Sequence, residues 1–116
     1  MILSIDHIQL AMPPGGEDAA RKFYRDVLGL DEIEKPPQLA LRGGCWFQGA
    51  VIVHLGVEAD FRPALKAHPA FAVGDLANCA RMLLAGGFTV RWDESNPNVK
   101  RFFSADPFGN RIEFLE

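Results

Sequence analysis

The stretch His7-Ile8-Gln9-Leu10-Ala11 decides the fold, because its pattern returns later in the chain as His68-Pro69-Ala70-Phe71-Ala72. Each copy is followed by an aspartate, an amphipathic helical pattern and a glycine, in the segments 18–29 and 75–86. The two segments have the same length. An internal repeat with this spacing indicates two related supersecondary units that pack against neighbours of the same design.

Each half closes on a strand pattern that carries one further potential metal ligand, His54 in the first half and Glu113 in the second. His54 follows His7 by 47 residues, and Glu113 follows His68 by 45. Neutral imidazole and carboxylate are ligands that borderline divalent metals prefer. The sequence therefore predicts one metal site formed by His7, His54, His68 and Glu113.

The hydrophobic periodicity predicts an α+β fold made of two β-α-β-β-β modules. The helices are expected at residues 17–28, before the stop at Gly29, and from the N-cap Asp75 to Gly86. Further strands are expected at residues 31–34, 39–48, 50–57, 89–93, 101–104 and 111–115. We expect one domain over residues 1–116, with module one at about 1–57, a connection at about 58–67 and module two at about 68–116.

Side-chain alternation separates the predicted ligands from the bulky apolar residues. Side chains of a strand point alternately to its two faces, so Glu113 lies opposite Ile112 and Phe114. The same alternation holds around the three histidines. One face of each predicted sheet therefore packs on a helix, and the other forms a partly polar cavity.

Composition limits the classes of partner. The chain has 116 residues, a net charge of −3, 48% hydrophobic and 23% charged residues. It contains no basic run, so we expect no nucleic-acid partner, and no apolar run long enough for a membrane span. The N-terminus enters a strand pattern without a basic leader, so we expect a cytoplasmic protein with Cys45 and Cys79 as reduced, buried thiols.

The ordered motifs resemble the vicinal oxygen chelate superfamily, which includes glyoxalase I, bleomycin-resistance proteins, fosfomycin-modifying enzymes, methylmalonyl-CoA epimerase and extradiol dioxygenases. The resemblance covers essentially the whole chain and is carried by residues 6–8, 23–30, 68–71 and 106–113. It implies two modules that curl a mixed sheet around a divalent metal held by His7, His54, His68 and Glu113. It also implies a homodimer, in which the modules pair within one chain or swap between subunits.

The resemblance implies a metal-dependent enzyme of lyase, isomerase or oxygenase type that acts on a small oxygen-chelating substrate. The ion would be Fe, Mn, Co, Ni or Zn, with Glu113 as ligand and catalytic base. Substrate contacts are expected from Gln9, Arg42, Trp46 and Arg111. Arg91, Lys100 and Arg101 are further candidates for an anionic substrate, although solvated surface charges need no such role.

No single member of the superfamily is fully matched. Glyoxalase I relatives commonly have glutamate where this chain has His54, and fosfomycin-modifying relatives typically have threonine where it has Gln9. Extradiol dioxygenases tend to use a further histidine, and the epimerase pattern needs a carboxylate base within residues 39–48, which contain none. The alternative from another class is a non-catalytic protein of bleomycin-resistance type that binds a small ligand or antibiotic.

Overall fold

The computed structural model describes residues 1–116, which form two compact units, Met1–Arg62 and Pro63–Glu116. The boundary lies within the connecting segment predicted at residues 58–67. Each unit contains one four-stranded mixed sheet and one helical segment between its first two strands. The predicted α+β class and the repeated β-α-β-β-β order are therefore confirmed.

The first unit has an additional short helix. Its elements are β1 (Ile8–Met12), α1 (Glu17–Ala20) continued by a π-helical segment (Arg21–Val27), β2 (Asp31–Ile33), α2 (Pro37–Ala40), β3 (Cys45–Gln48) and β4 (Ile52–Val57). The strand order is β1-β4-β3-β2, with β1 parallel to β4 and the other pairs antiparallel. Gly29 ends the helical segment with a φ of 77°, as the sequence predicts.

The second unit repeats this topology. Its elements are β5 (Ala70–Ala72), α3 (Leu76–Ala85), β6 (Arg91–Asp93), β7 (Arg101–Ala105) and β8 (Arg111–Leu115). The strand order is β5-β8-β7-β6, with β5 parallel to β8 and the other pairs antiparallel. The repeat read from the sequence is therefore a repeat of sheet topology as well.

Each unit buries most of the apolar side chains that the alternation assigns to its helix-facing side, together with apolar side chains of its helix. In the first unit the buried set includes Leu10, Met12, Phe23, Tyr24, Phe47, Val53 and Leu55. In the second it includes Leu76, Ala80, Leu83, Phe102, Ile112 and Phe114. Burying such side chains is the main favourable term in folding, and it fixes which strand residues are left for the opposite face.

Helix α3 begins and ends where the sequence predicts. The side chain of Asp75 accepts a hydrogen bond from the backbone N–H of Asn78 at 2.9 Å, which satisfies one free donor of the first turn. The helix stops at Gly86, and Gly87 follows with a φ of 86°. Neither α3 nor any other helix of the structure is long and apolar enough to cross a lipid bilayer.

The strand predicted at residues 39–48 is wrong in its first half. Pro37 begins the short helix α2, because proline suits the first helical position, where its missing N–H is not needed. Gly43 and Gly44 then adopt φ values of 75° and 85°, which reverse the chain before β3 begins at Cys45. A Cβ at residue 44 would lie 2.1 Å from the carbonyl oxygen of Leu55, so the approach of the two backbones requires glycine.

Candidate functional site

The two predicted ligands of the second unit, His68 and Glu113, are in contact. Glu113 lies on β8 opposite Ala70 of β5, and its backbone N–H donates to the carbonyl of Pro69 at 3.0 Å. This register holds the end of β8 beside residue 68. As a result, Nε2 of His68 lies 3.0 Å from Oε1 of Glu113, whose side chain is largely buried.

The hydrogen bond at Nδ1 of His68 determines which atom of the ring carries its proton. Nδ1 of His68 lies 2.8 Å from the carbonyl oxygen of Lys66, and a carbonyl only accepts, so Nδ1 carries a proton. In the neutral ring Nε2 would then be an acceptor facing a carboxylate, which is also an acceptor. The contact is favourable when a proton, carried by either group, or a metal ion lies between them.

The donor atoms of this pair fit a divalent ion. Two ligand atoms bound at right angles to one ion, each at about 2.1 Å, lie about 3.0 Å apart. The Nε2 to Oε1 distance of 3.0 Å agrees with that spacing. A histidine that donates Nδ1–H to a backbone carbonyl also has the orientation usual for metal-bound histidines. His68 and Glu113 can therefore serve as neighbouring ligands without rearrangement of the backbone.

The first unit brings His7 and His54 together in a different way. Their rings are stacked with centroids 4.1 Å apart, and the other face of His54 stacks on Trp46 at 3.9 Å with an interplanar angle of 2°. Trp46 and His54 are register partners on β3 and β4. Nδ1 of His7 lies 2.8 Å from a carboxylate oxygen of Asp6. The stack orders both imidazoles on one face of the sheet.

The surroundings of His54 favour its neutral form. Burial lowers the pKa of the His54 imidazole below its ordinary value, and the electrostatic interaction with the neighbouring His7 lowers it further. Neutral imidazole is the form that binds a metal. The environment of His54 therefore suits the ligand role that the sequence predicts for it.

A groove of about 240 Å³ opens beside Trp46 in the first unit. Three of the four predicted substrate contacts, Gln9, Arg42 and Trp46, line it together with Lys35 and Leu39. The ammonium group of Lys35 donates to the carbonyl of Gly43. The groove thus combines an aromatic wall, an amide and two basic side chains, which suits a small polar or anionic ligand.

The fourth predicted contact, Arg111, lies in the second unit against the ring of Phe103. Its guanidinium carbon is 4.0 Å from the ring centroid, and those of Arg91 and Arg101 are 5.3 and 5.4 Å away. Phe103 is not among the residues that the sequence singles out. The three arginines recur every ten residues, but only the strand register shows that they meet on one ring.

The predicted ligands therefore meet in pairs, His7 with His54 and His68 with Glu113. Within either unit, no group of three or more histidine, cysteine, aspartate or glutamate side chains is arranged to hold a metal ion. Protein metal sites with an open position usually have three protein ligands. The four-residue site remains a prediction, to which each unit contributes one ordered pair.

The sequence profile of the Glyoxalase/Bleomycin resistance protein/Dioxygenase superfamily matches residues 4–114. The chain belongs to this superfamily. A glyoxalase family protein from Bacillus anthracis is similar over 100% of this chain and 96% of that chain, with 49% identity and a TM-score of 0.94. The predicted membership of the glyoxalase and bleomycin-resistance superfamily is thereby confirmed.

Two solved structures of lower identity support the fold alone. Lactoylglutathione lyase from Agrobacterium tumefaciens has 23% identity and a TM-score of 0.67, covering 94% of this chain and 91% of that chain. A fosfomycin resistance protein from Listeria monocytogenes has 15% identity and a TM-score of 0.79, covering 99% and 93%. No curated protein matches the sequence.

Proposed function

We propose that the protein is a divalent-metal-dependent enzyme that acts on a small substrate with two adjacent oxygens, by a lyase, isomerase or oxygenase type of reaction. The proposed ligands are His7, His54, His68 and Glu113. The observation that carries the proposal is the 3.0 Å contact between Nε2 of His68 and Oε1 of Glu113, which places an imidazole nitrogen and a carboxylate oxygen at the spacing of two ligands of one divalent ion. Membership of the glyoxalase superfamily supports it.

All four residues are proposed as ligands because either pair alone supplies too few ligands for a stable site. The two pairs occupy equivalent places in the repeat, since His7 and His68 precede the first strand of each unit and His54 and Glu113 lie on the last strand. We propose that one ion takes one pair of each kind, from the same chain or from two subunits of a homodimer. The ion is Fe, Mn, Co, Ni or Zn, since the ligand types suit all five.

When bound, such an ion would supply Lewis-acid stabilisation for negative charge that develops on a substrate oxygen. The chain's own residues supply the rest. Glu113 is the proposed catalytic base, because its carboxylate is the only one among the four predicted ligands. Gln9, Arg42 and Trp46 would orient the substrate in the groove of the first unit. We place this activity in the cytoplasm, with no nucleic-acid or membrane partner.

One observation favours the alternative, a non-catalytic small-ligand or antibiotic-binding protein of bleomycin-resistance type. The groove beside Trp46 is lined by Gln9, Lys35, Arg42 and apolar residues, and no carboxylate or histidine lines it. A pocket with aromatic and basic walls can hold a ligand without any group to move a proton. Metal dependence therefore separates the two functions.

The test is metal content, measured by mass spectrometry on untagged protein reconstituted with each of the five ions. The enzyme proposal predicts about one ion per chain, lost in both His7→Ala and Glu113→Ala. Glu94→Gln is the matched control, since Glu94 is an exposed carboxylate of the second unit and is expected to keep the ion. Absence of metal after reconstitution would contradict the enzyme and leave the binding protein.

A further inference from the structure

Three guanidinium groups surround one aromatic ring on the second sheet. Arg111 of β8, Arg91 of β6 and Arg101 of β7 lie 4.0, 5.3 and 5.4 Å from the centroid of Phe103. Cation–π contacts of this kind occur about once per 70–80 residues in proteins, so three on one ring are an unusual concentration of positive charge. We call Arg91, Arg101 and Arg111 the arginine cluster.

The arginine cluster lies on the same sheet face as Glu113. Phe103 is the register partner of both Glu113 on β8 and Arg91 on β6, and residues paired across strands share a face. The ring of His68 contacts Phe103 edge to face, with centroids 5.5 Å apart. The positive cluster therefore borders the His68 and Glu113 pair directly.

Only one member of the cluster has its charge compensated. Arg101 forms ion pairs with Asp93 at 2.7 Å and with Glu113 at 3.5 Å. Arg91 and Arg111 form no ion pair, and the Nε of Arg111 is buried without a hydrogen-bond partner. Two uncompensated guanidinium groups thus converge on one ring, and a buried donor among them lacks an acceptor.

An anion would satisfy both requirements. Like charges held close together repel, and a buried N–H without an acceptor is unfavourable. Guanidinium groups present a planar fork of donors that matches carboxylate and phosphoryl oxygens, and stacking on an aromatic ring limits the orientations of that fork. Phe103 therefore limits the orientations of the arginine cluster, as recognition of an oxyanion requires.

We propose that the arginine cluster on Phe103 is an oxyanion subsite, in which Arg111 and Arg91 bind a carboxylate or phosphoryl group of the substrate. Arg101 is a positioning residue, because its own fork is occupied by Asp93. The inference deepens the proposed function by assigning the substrate class: a small molecule with an anionic group next to the oxygens that would be presented near Glu113.

Anion binding by the metal-free protein tests the subsite separately from the metal. Inorganic phosphate and acetate are titrated calorimetrically at constant ionic strength, with chloride as the balancing ion, because salt screens non-specific attraction. We expect saturable binding of at least one anion, weakened about tenfold or more in Arg111→Met and also reduced in Arg91→Met. Arg81→Met, an exposed arginine on α3, is the matched control and should bind as the wild type does.

The outcomes are distinct. Stronger binding of phosphate assigns a phosphoryl group, and stronger binding of acetate assigns a carboxylate. If neither anion binds saturably, or if Arg111→Met and Arg91→Met bind as tightly as Arg81→Met, the subsite is overturned. Because no metal is present, these results do not depend on the proposed enzyme function, which fails or holds on metal content alone. Thermal unfolding of each variant checks that it is folded.

Discussion

Nε2 of His68 lies 3.0 Å from Oε1 of Glu113, while Nδ1 of the same ring lies 2.8 Å from the carbonyl oxygen of Lys66. The Lys66 carbonyl fixes the proton on Nδ1, so the side of the ring that faces Glu113 is free to bind a cation. A histidine held in this way is oriented before any ligand arrives.

Glu113→Gln is expected to abolish metal binding while leaving the fold intact. The amide of glutamine can donate to Nε2 of His68, so the contact persists without a charge, and the free energy of unfolding should change by about 1 kcal/mol or less. Loss of the charged ligand should weaken metal affinity by more than about 100-fold. Urea unfolding and calorimetric metal titration measure the two effects. Unchanged metal affinity would show that the pair is structural.

The lowered pKa of His54 predicts that the protein loses stability in acid. Burial lowers its pKa in the folded protein from the ordinary 6.5, so below pH 6.5 the unfolded chain takes up a proton that the folded protein resists. The free energy of unfolding of the metal-free protein should therefore fall as the pH decreases through this value. His54→Gln should show a smaller decrease between pH 7.5 and pH 5 in urea unfolding. An equal decrease in both proteins would contradict the assignment to His54.

Gly44→Ala is expected to be strongly destabilising. Residue 44 has a φ of 85°, and a Cβ there would lie 2.1 Å from the carbonyl oxygen of Leu55. Gly15→Ala is the matched control, because Gly15 has a similar φ of 79° and nothing within 4 Å. The control should lose about 1–2 kcal/mol from backbone strain alone, and Gly44→Ala clearly more. Equal losses in urea unfolding would show that the steric contact is relieved without cost.

Cys45 is expected to be unreactive in the folded protein. Burial raises the pKa of its thiol to about 11, so about one molecule in a thousand carries the thiolate at pH 8. A disulfide reagent should label Cys45 slowly in native Cys79→Ser protein and rapidly in urea. Rapid labelling under native conditions would contradict the buried position of Cys45. Both cysteines are free, in agreement with the prediction of reduced thiols, although only Cys45 is fully buried.

The regular elements could be predicted wherever local signals and tertiary packing agree. The N-cap Asp75 and the stop at Gly86 define α3, and the alternation around Glu113 gives β8 its observed bounds at Arg111–Leu115. The prediction of a strand at residues 39–48 was wrong in its first half because Leu39 and Leu41 have the alternating spacing of apolar residues in a strand. The helix-starting Pro37 outweighs that pattern.

The ligand pairs could be predicted from the repeat, but their immediate neighbours could not. The stacking of Trp46 on His54 depends on the register of β3 with β4, and the contact of Arg91 with Phe103 depends on the register of β6 with β7. Register is set by turn geometry and by cross-strand packing, neither of which a single sequence displays. Arg91 and Arg101 therefore looked like ordinary surface charges.

X-ray absorption spectroscopy of protein loaded with cobalt or zinc is the decisive test of the proposed metal centre, because it reports the atoms bound to the ion. We expect imidazole scattering from about three histidines with nitrogen and oxygen neighbours at about 2.0–2.2 Å, and a clear loss of imidazole scattering in His68→Ala. A spectrum of an ion surrounded by oxygen alone, unchanged in His68→Ala, would contradict the proposed metal centre.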